Sequence, residues 1–216
     1  MNKPSGQLVH RTLIDKYETD FALQQIRDYC GKFVYPLHRL DKPTSGCLLF
    51  AFDKKVAIDI SHQFTARTVK KKYISVVRGW VEKPLRIQHP VKIFKDKKKF
   101  TKKEAITCCN PLSYIELDIP NRKYPKSRYT LLQMQPLTGR KHQLRQHMHH
   151  ISHHIIGDVN YGDGVHNKIF RENFGISRLL LHCSEMIIHH PILKKDIVIK
   201  SQLKGSFKSF VENMFR

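Results

Sequence analysis

His38-Arg39-Leu40-Asp41-Lys42-Pro43-Thr44-Ser45-Gly46, followed at once by the apolar run Cys47-Leu48-Leu49-Phe50-Ala51-Phe52, is the stretch around which the chain is organised. By itself it reads as a charged loop between two strand-like segments. Phe33-Val34-Tyr35 leads in, Pro43 turns Lys42 away from helical dihedrals, and Gly46 allows the turn into a run with the character of a buried strand. In an extended segment Arg39 and Asp41 share a face, because side chains alternate with period two. A carboxylate beside a guanidinium stays ionised, since an unperturbed Asp titrates near ~3.9 and a neighbouring Arg lowers that value. Such a group can attack an electrophilic carbon and form a covalent intermediate. An Arg-Asp pair can equally brace a turn. Spacing alone leaves both readings open.

The composition narrows the partner. The 216 residues suffice for one well-buried domain, and 40% hydrophobic residues support a folded core. The net charge of +21, from 39 Lys and Arg against 18 Asp and Glu, calls for a polyanion, nucleic acid first. No run approaches the ~18 apolar residues that span a bilayer, and Met1-Asn2-Lys3-Pro4-Ser5-Gly6 lacks the apolar centre of a signal peptide. That predicts a cytoplasmic protein without a membrane partner. Five cysteines without a CxxC pair read as reduced thiols.

No repeat or Gly/Ser-rich linker divides the chain, which predicts one domain over residues 1–216. A helix is expected over Thr19 to Tyr29, with Phe21, Ala22, Ile26 and Tyr29 on one side and Gly31 as its stop. Asp53 caps a second helix whose stripe is Val56, Ala57, Ile60 and Phe64. Lys70 to Trp80 reads as a strand with a basic lead-in. Lys92 to Lys103 carries seven lysines, Lys97, Lys98 and Lys99 at its centre, with Phe94 and Phe100 interleaved. It is either a solvated hairpin tip or a phosphate-contacting loop, and the chain's charge favours the second. Further strands are expected at 105–109, 114–117 and 128–135, separated by Pro111, Pro120 and Pro125. Thr138 is placed to cap a helix in which Leu144, Met148 and Ile151 face the core and Lys141, Arg145 and His149 form a cationic stripe. Its N-terminus, with two arginines nearby, suits a phosphate or a buried carboxylate. Strands follow around 179–182, 186–189 and 197–199, then an amphipathic helix from Gly205 with Phe207, Phe210, Val211 and Met214 inward.

The histidines between 142 and 154 include pairs four apart, His149 with His153 and His150 with His154, but further ligands for a metal site are missing. Neutral, RNA-facing histidines are the preferred reading, with no metal.

Three of these strings resemble the RluA-type pseudouridine synthases. The first signature of that family is His-Arg-Leu-Asp, two variable residues, Thr-Ser-Gly and an apolar strand, matched at His38, Arg39, Leu40, Asp41, Thr44, Ser45 and Gly46. The second places a Tyr after a basic pair, here Lys71-Lys72-Tyr73. The third, Thr-Gly-Arg-x-His-Gln-Leu-Arg, is matched from Thr138 to Arg145. Asn2 to Gly6 resembles the segment that follows the family's first strand, and the lack of that strand predicts an uncovered sheet edge.

The resemblance implies an α+β pseudouridine synthase fold, a long, mixed, mostly antiparallel sheet with flanking helices and a central RNA-binding cleft. It implies Asp41 as nucleophile, toward the ribose carbon or the uracil ring. Tyr73 would pack against the target base, and Arg145 would pair with Asp41. Arg39 would enter the RNA stack as the uridine turns out. Arg140, Lys141, His142 and Lys97 to Lys99 are RNA-contact candidates. Isomerisation conserves every atom, so no cofactor is required. The string from His142 to Gly164, with His166-Asn167 and Leu8-Val9-His10-Arg11, looks like the branch acting on one uridine in the transfer RNA acceptor stem. Ribosomal RNA is the alternative substrate. A non-catalytic RNA-binding protein is the competing class, and it leaves Asp41, Tyr73 and Arg145 together unexplained. A monomer without an obligate protein partner is expected.

Overall fold

The computed structural model describes residues 1–10, 20–94, 99–122 and 124–215. The chain divides into two compact units, Met1–Lys71 with His182–Gln202, and Lys72–Leu181 with Leu203–Arg216.

The first unit begins with strand β1 (Asn2–Lys3) and helix α1 (Ala22–Cys30), which Gly31 ends at φ 60°. Ala22 is fully buried with Val9 and Leu48, whereas Tyr29 is 89% exposed, so the expected stripe of α1 is shorter than its spacing suggested. Then come β2 (Tyr35–Pro36), β3 (Ser45–Cys47), β4 (Phe50–Ala51) and α2 (Lys54–Ala66). Asp53 caps α2 as expected, its carboxylate accepting from Val56 N at 2.9 Å. The apolar run after the signature is not one strand. Its middle residues leave the ladder because Leu48 N donates to Met1 O and Leu49 N to His38 Nε2, both within 3.1 Å. β3 therefore pairs with β1, and β4 separately with β2.

β5 (Lys70–Arg78), most of it in the second unit, is followed there by β6 (Leu85–Gln88) and a hairpin of β7 (Val91–Phe94) and β8 (Phe100–Lys103). β9 (Ile106–Leu117) and β10 (Ser127–Pro136) are its long strands. Pro111 was expected to separate two strands, yet β9 runs through it. The register slips there, Leu131 facing Ser113 and Leu132 facing Pro111, and a bulge admits a residue without an amide donor. Helices α3 (Gln143–His150) and α4 (Gly164–Phe174) follow, the second absent from the sequence-based expectations. The remaining elements are β11 (Leu181–His190), β12 (Lys195–Lys200) and α5 (Gly205–Met214).

Pairing is mostly antiparallel, β5–β10–β9–β6 in the second unit and β11–β12 in the first, with β3 and β11 parallel. Alternation sends Val76, Tyr129 and Leu131 to a core with Phe170, Phe207 and Phe210. It sends Val77, Leu132 and Met134 to another with Leu144 and Met148 of α3. No helix among the described residues is long and apolar enough to cross a membrane.

Candidate active site

The signature loop is seated by main-chain hydrogen bonds. Thr44 N closes a turn onto Asp41 O at 3.0 Å, and Asp41 is half-buried. The N-terminal segment clamps the same turn from outside. Lys42 O accepts from Gly6 N (2.9 Å) and from the Lys3 ammonium (3.1 Å), and Pro43 O accepts from Ser5 Oγ (2.6 Å). Lys3 is itself fully buried, its Nζ also donating to Pro4 O and Gln7 O. A buried ammonium is tolerated when its donors are all spent on acceptors, and here they pin the loop.

His38, Ser45 and Gly46 of the signature are structural. His38 accepts from Leu49 N and stacks on Phe64 at 5.0 Å. Burial, with the Lys71 charge, pushes its pKa down to about 4, which keeps it neutral. Ser45 Oγ meets His182 Nδ1 at 2.8 Å, while His182 Nε2 donates to Ser201 O. Gly46 has φ +114°, and a Cβ there would lie 2.2 Å from Cys183 O, so only glycine fits. Arg39 is exposed, and Leu37 to Asp41 is irregular rather than strand.

In the second unit Tyr73 is half-buried opposite Met134 and packs against the core that holds Leu144 and Met148. α3 begins later than Thr138 was expected to start it. The Thr138 hydroxyl is occupied instead, accepting from Ile106 N and donating to Gln143 Oε1 at 2.6 Å, and His142 at φ 55° is the residue before the helix. The proposed cationic stripe is also corrected, because Arg145 points inward and its side chain is 4% exposed.

Arg145 meets a residue that sequence reasoning had not singled out. Its Nε donates to Asp158 Oδ2 at 2.7 Å and its Nη2 to Asp158 Oδ1 at 2.8 Å, a two-bond fork between buried groups. Burial raises the Asp158 pKa, but the Arg145 bonds and charge and the amides of Tyr161 and Asn160 outweigh it, holding the carboxyl below its ordinary range. The signal was present in Gly157-Asp158-Val159-Asn160-Tyr161, since an Asp two and three residues before the amides it accepts from makes an Asx turn. Gly157 serves the same turn, at φ +78° with no room for a Cβ beside Arg178 O.

Tyr161 is a hub. Arg145 Cζ lies 5.1 Å from its ring centre, His142 Nδ1 lies 3.1 Å from its hydroxyl, and His149 and His154 both approach its carbonyl through Nδ1. A carbonyl only accepts, so both rings carry the Nδ1 proton. His147, expected to face RNA, is fully buried between Thr107 Oγ1 and His89 O. Burial lowers its pKa.

Arg140 and Lys141 lie just before α3, Lys141 exposed. Lys97 and Lys98 lie outside the described residues, and Lys99 is exposed. On the hairpin Phe94 faces Phe100 and Lys92 faces Lys102, so alternation gathers these four on one face. The two phenyl rings lie 5.6 Å apart, both exposed, and Lys92 Nζ sits 4.9 Å from the Phe100 ring centre.

Comparison with known proteins is consistent across three levels. Residues 1–150 match a family model described as RNA pseudouridylate synthase. A protein of Vibrio cholerae named tRNA pseudouridine synthase C is 46% identical over 210 residues, covering 94% of this chain and 86% of that protein. The Haemophilus influenzae protein of the same name is 44% identical, covering 98% and 91%. Among solved structures, Human RNA Pseudouridylate Synthase Domain Containing 1 superposes with a TM-score of 0.72 at 23% identity, covering 94% of this chain and 78% of that one. Human RNA Pseudouridylate Synthase Domain Containing 4 gives 0.70 at 23% identity, covering 98% and 87%.

Proposed function

The chain belongs to the RNA pseudouridylate synthase family and is an isomerase that converts uridine to pseudouridine in RNA; from that premise we propose that its substrate is transfer RNA, modified at one uridine of the acceptor stem. The substrate class follows the relatives named for transfer RNA, which match over nearly the whole chain. The acceptor-stem target rests on the string from His142 to Gly164.

Asp41 is the nucleophile in this reading. The observation that carries it is the clamp on its turn, because a loop held by Lys3, Ser5 and Gly6 presents its carboxylate without an ordering step at each turnover. Attack by that carboxylate opens a route in which the base is detached and rejoined through carbon 5, with no atom gained or lost. Tyr73 packs against the target base. Arg145, itself held by Asp158, is the basic partner of Asp41, and Arg39 enters the RNA stack as the uridine turns out. Arg140, Lys141, His142 and the hairpin, with Lys99 and the Phe94–Phe100 face, contact RNA. The chain works in the cytoplasm, as a monomer and as one catalytic domain, without a cofactor.

Transfer RNA transcribed with tritium at uridine carbon 5 tests the reading. The protein should release label into water and leave pseudouridine at a single acceptor-stem position. Asp41→Asn should reduce release by at least about a thousandfold, as loss of a covalent nucleophile does, while RNA affinity stays within about threefold. Equal turnover by Asp41→Asn would show that another group attacks. Product mapped only in ribosomal RNA would move the substrate assignment.

A further inference from the structure

Gln146 follows Arg145 in α3, yet its side chain serves the hairpin. Its Oε1 accepts from Lys92 N at 2.9 Å, and its Nε2 donates to Lys92 O at 3.0 Å. One side-chain amide thus satisfies both groups of one β7 peptide residue, as a neighbouring strand would. The same helix holds both roots of the hairpin. His147 Nε2 donates to His89 O where the chain enters, and Gln143 Nε2 donates to Ile106 O where it leaves. Positions 143, 146 and 147 are three and four apart and form one face of α3, while Arg145 reaches Asp158 from another.

The hairpin face so held is costly without a partner. Lys92 and Lys102 stand directly opposite, a like-charge pair that destabilises an isolated ribbon, and the Phe94–Phe100 pair is open to solvent. A phosphate between the ammonium groups and a base against a phenyl ring relieve both.

We infer that Gln146 is a positioning residue, fixing the RNA-gripping face of the hairpin relative to the helix that carries Arg145. This rests on the reading that the hairpin contacts RNA. Arg145 keeps its own support in Asp158, so loss of Gln146 is expected in substrate capture and not in the chemical step.

The test is a double-mutant cycle on the full chain with the tritium-labelled transfer RNA. The hairpin variant Phe100→Ala/Lys102→Ala should raise KM about tenfold, from the stacking and phosphate contacts it removes. Gln146→Ala should raise KM about fivefold with kcat within about twofold, the loss of two hydrogen bonds to the β7 backbone. Combined, the changes should raise KM by about tenfold and not by their product, because a hairpin no longer held has little grip left to lose. Gln146→Glu retains the acceptor for Lys92 N and should recover part of the Gln146→Ala loss. A combined effect equal to the product, or a Gln146→Ala loss confined to kcat, overturns the inference. If the hairpin variant alone leaves KM unchanged, the RNA reading of the hairpin fails, and this inference with it.

Discussion

At the scale of single residues, the fold sets the charge state of several buried groups. Asp158 is ionised inside the protein because Arg145 and two amides outweigh its burial. Its folded pKa lies below its unfolded value of ~3.9, so its contribution is fully present above that value and is lost as pH falls through the folded one. Asp158→Asn leaves a buried guanidinium half-partnered. It should cost about 3 kcal/mol in urea unfolding at pH 7 and lower kcat, with the stability gap to the parent protein closing below pH ~4. His166 titrates under the opposite constraint. Burial pushes its pKa down to about 4, despite Asp163, as burial does for His38. Unfolding releases both rings to protonate near ~6.5, so stability should fall between pH ~6.5 and ~4, on the order of 2 kcal/mol per ring. Urea midpoints measured across that interval check this, and His166→Gln should flatten the slope.

At the scale of elements, the first strand and the signature turn work as one clamp. β1 pairs with β3 through Asn2 and Lys3, and the side chain of Lys3 then reaches Lys42 O. Lys3→Met has the length to fill the site but no donors for three carbonyls, and is expected to lower unfolding free energy by about 2–3 kcal/mol, read as a drop in Tm. Several elements were legible in advance for local reasons. Asp53 as a cap, Gly31 as a stop and the stripe of Phe207 and Phe210 need only neighbours along the chain. Where the expectation failed, a distant partner had intervened. Thr138 did not cap α3 because Ile106 and Gln143 took its hydroxyl, and β9 crossed Pro111 because β10 slips register beside it.

At the scale of the whole molecule, the charge of +21 sets how the enzyme meets its substrate. With about four phosphates neutralised, raising salt from ~50 to ~200 mM lowers affinity on the order of a hundredfold, and filter binding of transfer RNA should show that slope. A flat response would remove the hairpin and the α3 approach from the interface. The sequence by itself determined the family, the α+β class, the polyanionic partner and Asp41 as the residue to test, because these reside in contiguous strings and total charge. Only the tertiary structure decided that Arg145 is buried and locked by Asp158, that Lys3 braces the signature turn, and that Gln146 and His147 hold the hairpin. Each of those contacts joins residues between 13 and 58 positions apart, and no local periodicity records which distant donor a buried acceptor will find.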